Sequence, residues 1–428
     1  MILNLSVQNY RSFKDEISFS MVAGTSDSKG SNFFSQALAQ GEDEVRLLKI
    51  ASIYGPNASG KSNLLKLLFD LVKYITVKPK ISQSIPLYDP FKFEIESKTL
   101  PTDLSIEFIL NRIKYKYDIK FDASKIIAEN LSYYPEKKQR NIYSRIIDGS
   151  NEISHEAKFG SDIKGVKWKG FPNQLILSSF GEDIPDPIIS EVYKYFSTIK
   201  VVNSNNSNHL KLLKDEIDYI IADDPKLHSR LNRLISLADT KMKGIKLEKI
   251  DGLLAENTSS FNQEKRKYKI YGTHSLFQDK QNVGDEYLPM REESQGTFTF
   301  YCICGILLKS LKEGTTIFID ELETSLHPNL ARLLVSLFQD QRMNPKNAQL
   351  IFTTHEIELL DSSLFRKDQI WITEKDDFGV TDLFSLQDFN SVREDTPFDK
   401  WYLAGKFGGI PKIKSLQSIE DNGDGQVY

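Results

Sequence analysis

Residues 53–68 read IYGPNASGKSNLLKLL, and the spacing Gly55-x-x-x-x-Gly60-Lys61-Ser62 inside that stretch decides how the rest of the chain is read. Glycines let successive backbone N–H groups converge on one anion, and a helix that starts immediately afterwards adds its positive end. The flanks have the order such a cradle requires. LLKIASIY (47–54) is a short apolar strand that runs straight into the turn. From Ser62 onward Leu64, Leu68, Leu71, Val72 and Ile75 recur on one side at helical spacing. In this pattern Lys61 reaches the β- and γ-phosphates of a nucleotide, and Ser62 ligates magnesium.

A metal held opposite the phosphates needs a carboxylate at the end of another buried strand. TTIFIDEL (315–322) supplies Asp320 for that shell, with Glu321 beside it to accept a proton from an attacking water. Adjacent acids elsewhere mark a solvated turn, but these sit at the C-terminal edge of an apolar strand, where parallel sheets gather ligands. His355 closes LIFTTH (350–355) at the tip of the next strand. A lone histidine is usually structural; beside two other site elements it suits a hydrogen bond to the γ-phosphate or the lytic water.

Around these pieces the periodicity changes in blocks. Leu3, Leu5 and Val7, a polar NYRSFKD turn, then Ile17 and Phe19 read as a hairpin. Residues 85–200 alternate as an antiparallel meander, with NQLILSSF (173–180) read as one more strand. Residues 209–243 return to helical spacing broken at Pro225, which gives two short helices and no heptad array. After strands and loops at 245–290, helix and strand alternate from 294 on. NLARLLVSLFQD (329–340) carries Leu330, Leu333, Leu334, Leu337 and Phe338 on one face. The N- and C-terminal thirds are therefore expected to form two halves of one α/β sheet.

Composition narrows the class. The 428 residues are 40% hydrophobic and 27% charged, as in folded soluble proteins. No run approaches the roughly 18 apolar residues of a membrane span, and the start lacks a signal layout, so a cytoplasmic location without membrane contact is expected. Cys302 and Cys304 lie inside FTFYCICGILL and read as buried structural thiols. A formal net charge of −4 excludes a generally basic nucleic-acid binder, so DNA contact would need a local patch. Two clusters offer one: the Lys and Arg residues at 137, 138, 140, 145, 158, 164, 167 and 169, interleaved with acids at 148, 152, 156 and 162, and KRKYK at 265–269. A solvated strand face is the plainer account of such runs.

GPNASGKS, IFIDELETSLHP and TTH, in that order behind LSVQNYRSFKD, resemble the ABC-type ATPases of the SMC and RecF kind. The tail YLAGKFGGIPKI (402–413) and the overall size resemble the small RloA-like ATPases of phage-defence pairs. This resemblance implies an α/β ATPase head with a P-loop parallel sheet, an antiparallel β lobe and a short helical insertion. The implied divisions are 1–204 for the N-terminal ATPase lobe, 205–245 for the helical insertion, 246–380 for the C-terminal lobe and 381–428 for the tail. It also implies ATP and Mg²⁺ as cofactors, and a homodimer or higher oligomer closed around ATP. The nucleotide-binding set is then Arg11, Asn57, Ser59, Gly60, Lys61, Ser62 and Asn63, with Ser62 and Asp320 on the metal and Glu321 and His355 catalytic. Ser294, Gly296 and Thr297 of ESQGTFTF match a reduced signature that would meet a neighbouring protomer's γ-phosphate. The same residues also read as a helix N-cap, and both readings hold together. Thr324–Pro328 occupies the position of the D-loop. Gln83 follows the first helix, with no secure register as the family's Q-loop glutamine.

Departures from the family shape the expected role. The middle helices are too short for DNA-tethering coiled coils, and residues 381–428 are too few for an appended nuclease domain. There is no transporter-type Leu-Ser-Gly-Gly-Gln signature, and no Asn-Lys-x-Asp segment to read guanine. The expected function is an ATP-hydrolysing sensor, scaffold or regulator of a separate effector, plausibly a nuclease, in bacterial anti-phage defence. The alternative is a RecF-like DNA-binding ATPase in repair.

Overall fold

In the computed structural model, the strand Ile50–Tyr54 lies at the centre of a six-stranded sheet. The strand order is Lys200–Asn203, Thr316–Asp320, Gln349–Thr353, Ile50–Tyr54, Ile370–Lys375, Thr381–Ser385. The first five run parallel and the last antiparallel. The residues described are 1–39, 44–80, 83–146, 157–180, 186–238, 241–249 and 268–411. Asp148, Glu152, Glu156, Lys265, Arg266, Lys267, Lys412 and Ile413 lie outside them.

The central strands Thr316–Asp320, Gln349–Thr353 and Ile50–Tyr54 are buried almost end to end because both faces are covered. Ala51 and Ile53, Phe318 and Ile351 point into one core, which they share with the helix Lys61–Thr76 and the opening hairpin. Ile50 and Tyr54, Ile317 and Ile319, Leu350 and Phe352 point into the other, with the helices Gln295–Glu313 and Pro328–Gln339. Cys302 and Cys304 are free, buried in this second core, and burial raises both thiols. No helix among the described residues is long and apolar enough to cross a membrane.

The β lobe is a seven-stranded antiparallel sheet in which the opening pair, Ile2–Gln8 and Ile17–Ser20, continues into the meander at 102–159. The mid-chain helices form as read. Ser207–Asp223 and Pro225–Leu237 are separated by Asp224, whose carboxylate accepts from Lys226 N and Leu227 N, with Pro225 in the first turn. A three-stranded sheet, Gly244–Lys249 with Tyr268–Gln278 and Gln281–Pro289, leads into the helix Gln295–Glu313.

Two expectations fail in the 173–200 region. NQLILSSF contains a helix, Ile176–Phe180, and not a strand. A run of eight with its apolar residues bunched at 175–177 carries no clear period, and the deciding partner is remote: the Glu129 carboxylate accepts from Ile176 N at 2.9 Å and Leu177 N at 3.3 Å. Pro187–Thr198 is also helical, and Asp186 caps it through Ile188 N and Ile189 N. That signal, Asp before Pro at a helix start, was present in the sequence.

Glu129 also accepts from the Tyr117 and Tyr143 hydroxyls and from Arg145 Nη2 at 2.8 Å, with both partners of the ion pair fully buried. Arg145 stacks over Trp168, 4.9 Å from the ring centroid. It therefore drops out of the basic cluster read from sequence, and Arg140 pairs with Asp162. Lys137, Lys138, Lys158, Lys164, Lys167 and Lys169 remain exposed.

Replacing Glu129 by Leu strands the Arg145 charge in the core, a loss of roughly 3–5 kcal/mol. A lowered thermal unfolding midpoint is the expected reading, with Glu129→Leu/Arg145→Met recovering the part due to the stranded charge and not the part due to the unpaired Ile176 and Leu177 amides.

Candidate nucleotide-binding site

The turn between the strand Ile50–Tyr54 and the helix Lys61–Thr76 is shaped by Gly55 (φ 151°) and Gly60 (φ 109°), both in backbone territory that L side chains avoid. A Cβ on Gly55 would stand 2.3 Å from Thr373 Oγ1 and 2.5 Å from Thr373 O, so the neighbouring strand leaves room only for glycine. Ser59 faces that same strand. Its hydroxyl is shared with Thr373 Oγ1 at 2.5 Å and its side chain is buried, so any phosphate contact here is left to its backbone. Lys61 Nζ folds back over the loop and donates to Gly55 O and Pro56 O, both at 2.9 Å.

Parallel pairing brings the carboxylates to this turn. Ser62 Oγ donates to Asp320 Oδ1 at 2.8 Å, across 258 residues of sequence. Thr353 Oγ1, at the end of the next strand, donates to the same Asp320 oxygen at 2.7 Å and accepts from Glu321 N at 2.8 Å. Glu321 is left-handed (φ 54°), a conformation that costs a non-glycine residue about 1–3 kcal/mol and that clusters at functional sites. The reversal sends Asp320 toward Ser62, whereas the Glu321 carboxylate meets Asn205 Nδ2 and Thr324 Oγ1. His355 N donates to Glu323 Oε1 at 2.6 Å. Desolvation and the Lys61 charge lower the His355 imidazole against the pull of Glu323, Glu321 and Asp320, which favours its neutral form.

A cleft of 370 Å³ joins most of the predicted residues: Arg11, Asn57, Gly60, Lys61, Ser62, Asn63, Glu321 and His355 line it together. Asp320 lies with Ser62 and Arg11 on an adjoining groove. The wall also includes Ser12, Asp89, Lys92, Phe93 and Lys375, none of which sequence reasoning singled out. Arg11 Nε pairs with Asp89 at 3.3 Å, and Ser12 Oγ accepts from Asn63 Nδ2 at 2.6 Å. Burial and the neighbouring Arg11 charge lower the Lys375 ammonium. Arg11, Lys61, Lys92 and Lys375 face two wall acids, Asp89 and Glu321, a balance that attracts a polyanion.

Ser294, Gly296 and Thr297 do not join this cleft. Ser294 Oγ accepts from Thr297 N at 3.2 Å as the N-cap of the helix Gln295–Glu313, so the plainer of the two readings is present in the single chain. A Cβ at Gly296 would lie 2.7 Å from Ser325 O, which packs this segment against the Thr324–Pro328 turn. Gln83 is likewise absent from the cleft; its side-chain oxygen accepts from Lys80 N. The loop beside Asp320 is instead Asn203–Asn206, for which the legible signal was an apolar VV followed by NSNNSN.

Among the described residues, no group of three His, Cys, Asp or Glu side chains could hold a metal ion. The Ser62 hydroxyl and Asp320 carboxylate nevertheless fit magnesium, a hard cation commonly held by one or two protein oxygens together with phosphate oxygens and water.

Two comparisons bear on this site. Residues 50–361 match the family profile described as "AAA domain, putative AbiEii toxin, Type IV TA system". A protein of Helicobacter pylori named ATP/GTP phosphatase is 26% identical over 351 residues, spanning 79% of this chain and 86% of the relative.

Thr353→Val keeps the side-chain shape but removes the donor to Asp320 and the acceptor for Glu321 N–H. A loss of roughly 1–3 kcal/mol is expected for the unpaired amide, read by thermal unfolding. Burial lowers Lys61 to about 8 despite Glu321, Asp320 and Glu323. Above that pH, binding a phosphate anion must first recharge the amine. Nucleotide affinity, followed by calorimetry from pH 7 to 9.5, should therefore fall by about tenfold per unit on the alkaline side.

Proposed function

The chain belongs to this AAA-domain ATPase family, and on that premise we propose that it is a magnesium-dependent ATP switch that governs a separately encoded effector. The observation that carries the proposal is the meeting of Lys61, Ser62, Glu321 and His355 on one basic cleft, with Asp320 bonded to Ser62 on the adjoining groove, although they come from opposite ends of the sequence. Lys61 and the backbone of residues 57–63 hold the β- and γ-phosphates, with Asn57, Ser59, Gly60 and Asn63 in the cradle and Arg11 at its edge. Ser62 and Asp320 hold Mg²⁺, which neutralises phosphate charge when bound. Glu321 takes a proton from water as the water oxygen bonds to the γ-phosphorus and the bond to the β-phosphate oxygen breaks. Neutral His355 hydrogen-bonds the γ-phosphate or that water. The relative's name supports phosphate release from a nucleoside triphosphate, and ATP is the substrate proposed here.

A second copy completes the site in this reading. Ser294, Gly296 and Thr297 present a helix N-terminus to the γ-phosphate of the neighbouring protomer, and Thr324–Pro328 crosses beside them, so hydrolysis loosens the pair. ATP is then the differential ligand for the closed state. The domain scheme belongs to the same proposal: lobes 1–204 and 246–380 form the head, 205–245 is the helical insertion and 381–428 the tail. The toxin–antitoxin setting in the family description supports a partner protein, and with it an anti-phage role of the RloA-like kind in the cytoplasm. The exposed lysines of the β lobe support a second reading, DNA binding in the RecF manner. DNA-stimulated turnover that falls steeply with salt would favour that reading, whereas a stable complex with a neighbouring gene's product favours the first.

Lys61→Ala should lose ATP binding. Glu321→Gln should bind ATP, hydrolyse it at least about 100-fold more slowly and accumulate as a closed dimer. Light scattering with and without Mg·ATP tests the pair; an unchanged assembly in Glu321→Gln would overturn the dimer switch.

A further inference from the structure

We infer that Asn205 is a positioning residue for hydrolysis: an amide that holds the Glu321 carboxylate in its working orientation and ties it to Thr324. The inference rests on the reading of Glu321 as the base and adds a residue to that machinery.

The placement follows from strand register. Lys200–Asn203 pairs parallel with Thr316–Asp320, with Asn203 opposite Asp320, so the chain leaves both strands at the same sheet edge. Ser204 N donates to Asp320 O at 3.3 Å and Asn205 N donates to Asn203 Oδ1 at 3.0 Å, which turns the loop over the acids. The two ends of one side chain then do different things. Asn205 Nδ2 donates to Glu321 Oε2, and Asn205 Oδ1 accepts from Thr324 Oγ1 at 3.0 Å. Thr324 Oγ1 also lies 3.4 Å from Glu321 Oε2. An amide provides both a donor for the carboxylate and an acceptor for the hydroxyl, on two separate atoms of one short side chain.

This contact has a use that packing does not explain. Asn205 is exposed, so it buries nothing. The Glu321 backbone is already fixed from the other side by Thr353, which leaves its carboxylate as the part still free to rotate. A base must stand within hydrogen-bond reach of its water, and an error of about 1 Å in such placement costs on the order of 100-fold. Thr324 opens the turn whose Ser325 carbonyl abuts Gly296. Movement of that turn is therefore passed by the Asn205 amide to the carboxylate.

The test is hydrolysis of Mg·ATP by the full chain, followed in the steady state and in single turnover, with melting curves as the folding control. Asn205→Ala should lower kcat by about 10- to 100-fold with KM for ATP unchanged, since Asn205 is not on the cleft wall. Asn205→Asp, the same shape without a donor and with a charge that repels Glu321, should fall at least as far. Asn205→Gln, which keeps the amide, should retain more activity than either. In the Glu321→Gln background, Asn205→Ala should add nothing. Wild-type kcat in Asn205→Ala and Asn205→Asp, alongside an inactive Glu321→Gln, would overturn this inference and leave the base in place. Full turnover by Glu321→Gln would instead remove the base and the Asn205 role together.

Discussion

One carboxylate oxygen ties the site together. Asp320 Oδ1 receives the hydroxyl of Ser62 from the start of a helix and the hydroxyl of Thr353 from the end of a neighbouring strand. Those two donors lie almost three hundred residues apart in sequence. They meet because three parallel strands end at one edge, and parallel pairing sets the heights of all their tips at once. Thr353 then extends the arrangement by accepting from Glu321 N–H, so Asp320 and Glu321 are aligned by the same side chain. Charge organisation follows the geometry: Asp320 and Glu321 close the strand Thr316–Asp320, and the cations Arg11, Lys61, Lys92 and Lys375 share a cleft wall with Glu321 and Asp89.

The glycine turn, the acids after TTIFI and the histidine after LIFTT were legible because each sits where an apolar run stops abruptly, and a buried strand leaves no other way to write its end. Lys92, Phe93, Asp89 and Ser12 were not legible. Ser12 lies on the turn of the opening hairpin and the others on the segment between the helix Lys61–Thr76 and the meander, and nothing local marks such residues as facing a cleft that distant segments complete. Asn205 was hidden differently, since an Asn-rich loop reads as ordinary turn chemistry until the opposite register pair, Asp320, is known. In the β lobe, NQLILSSF was misread because its conformation is set by Glu129, more than forty residues upstream, whose carboxylate caps the helix. Arg145 shows the same limit for charge: a basic residue in a basic run proved to be a core residue because its partner and its aromatic cover come from other segments.

Membership of the AAA-domain family accounts for the ATPase head. In this chain the turn at Thr324–Pro328 touches the Gly296 helix start on one side and, through Asn205, the Glu321 carboxylate on the other. A partner that shifts this turn has a short physical route to the chemistry, built from one amide and one hydroxyl.

The central position of Ile50–Tyr54 also has a consequence for synthesis. Both of its sheet neighbours are encoded far downstream, the nearer beginning 295 residues later (349 − 54). At about 5–20 residues per second, that delay is on the order of 15–60 s. For that time a strand that the fold buries from end to end has left the ribosome with two open edges and no ladder to join. Its ladder on both sides therefore closes only after the last strands of the sheet emerge.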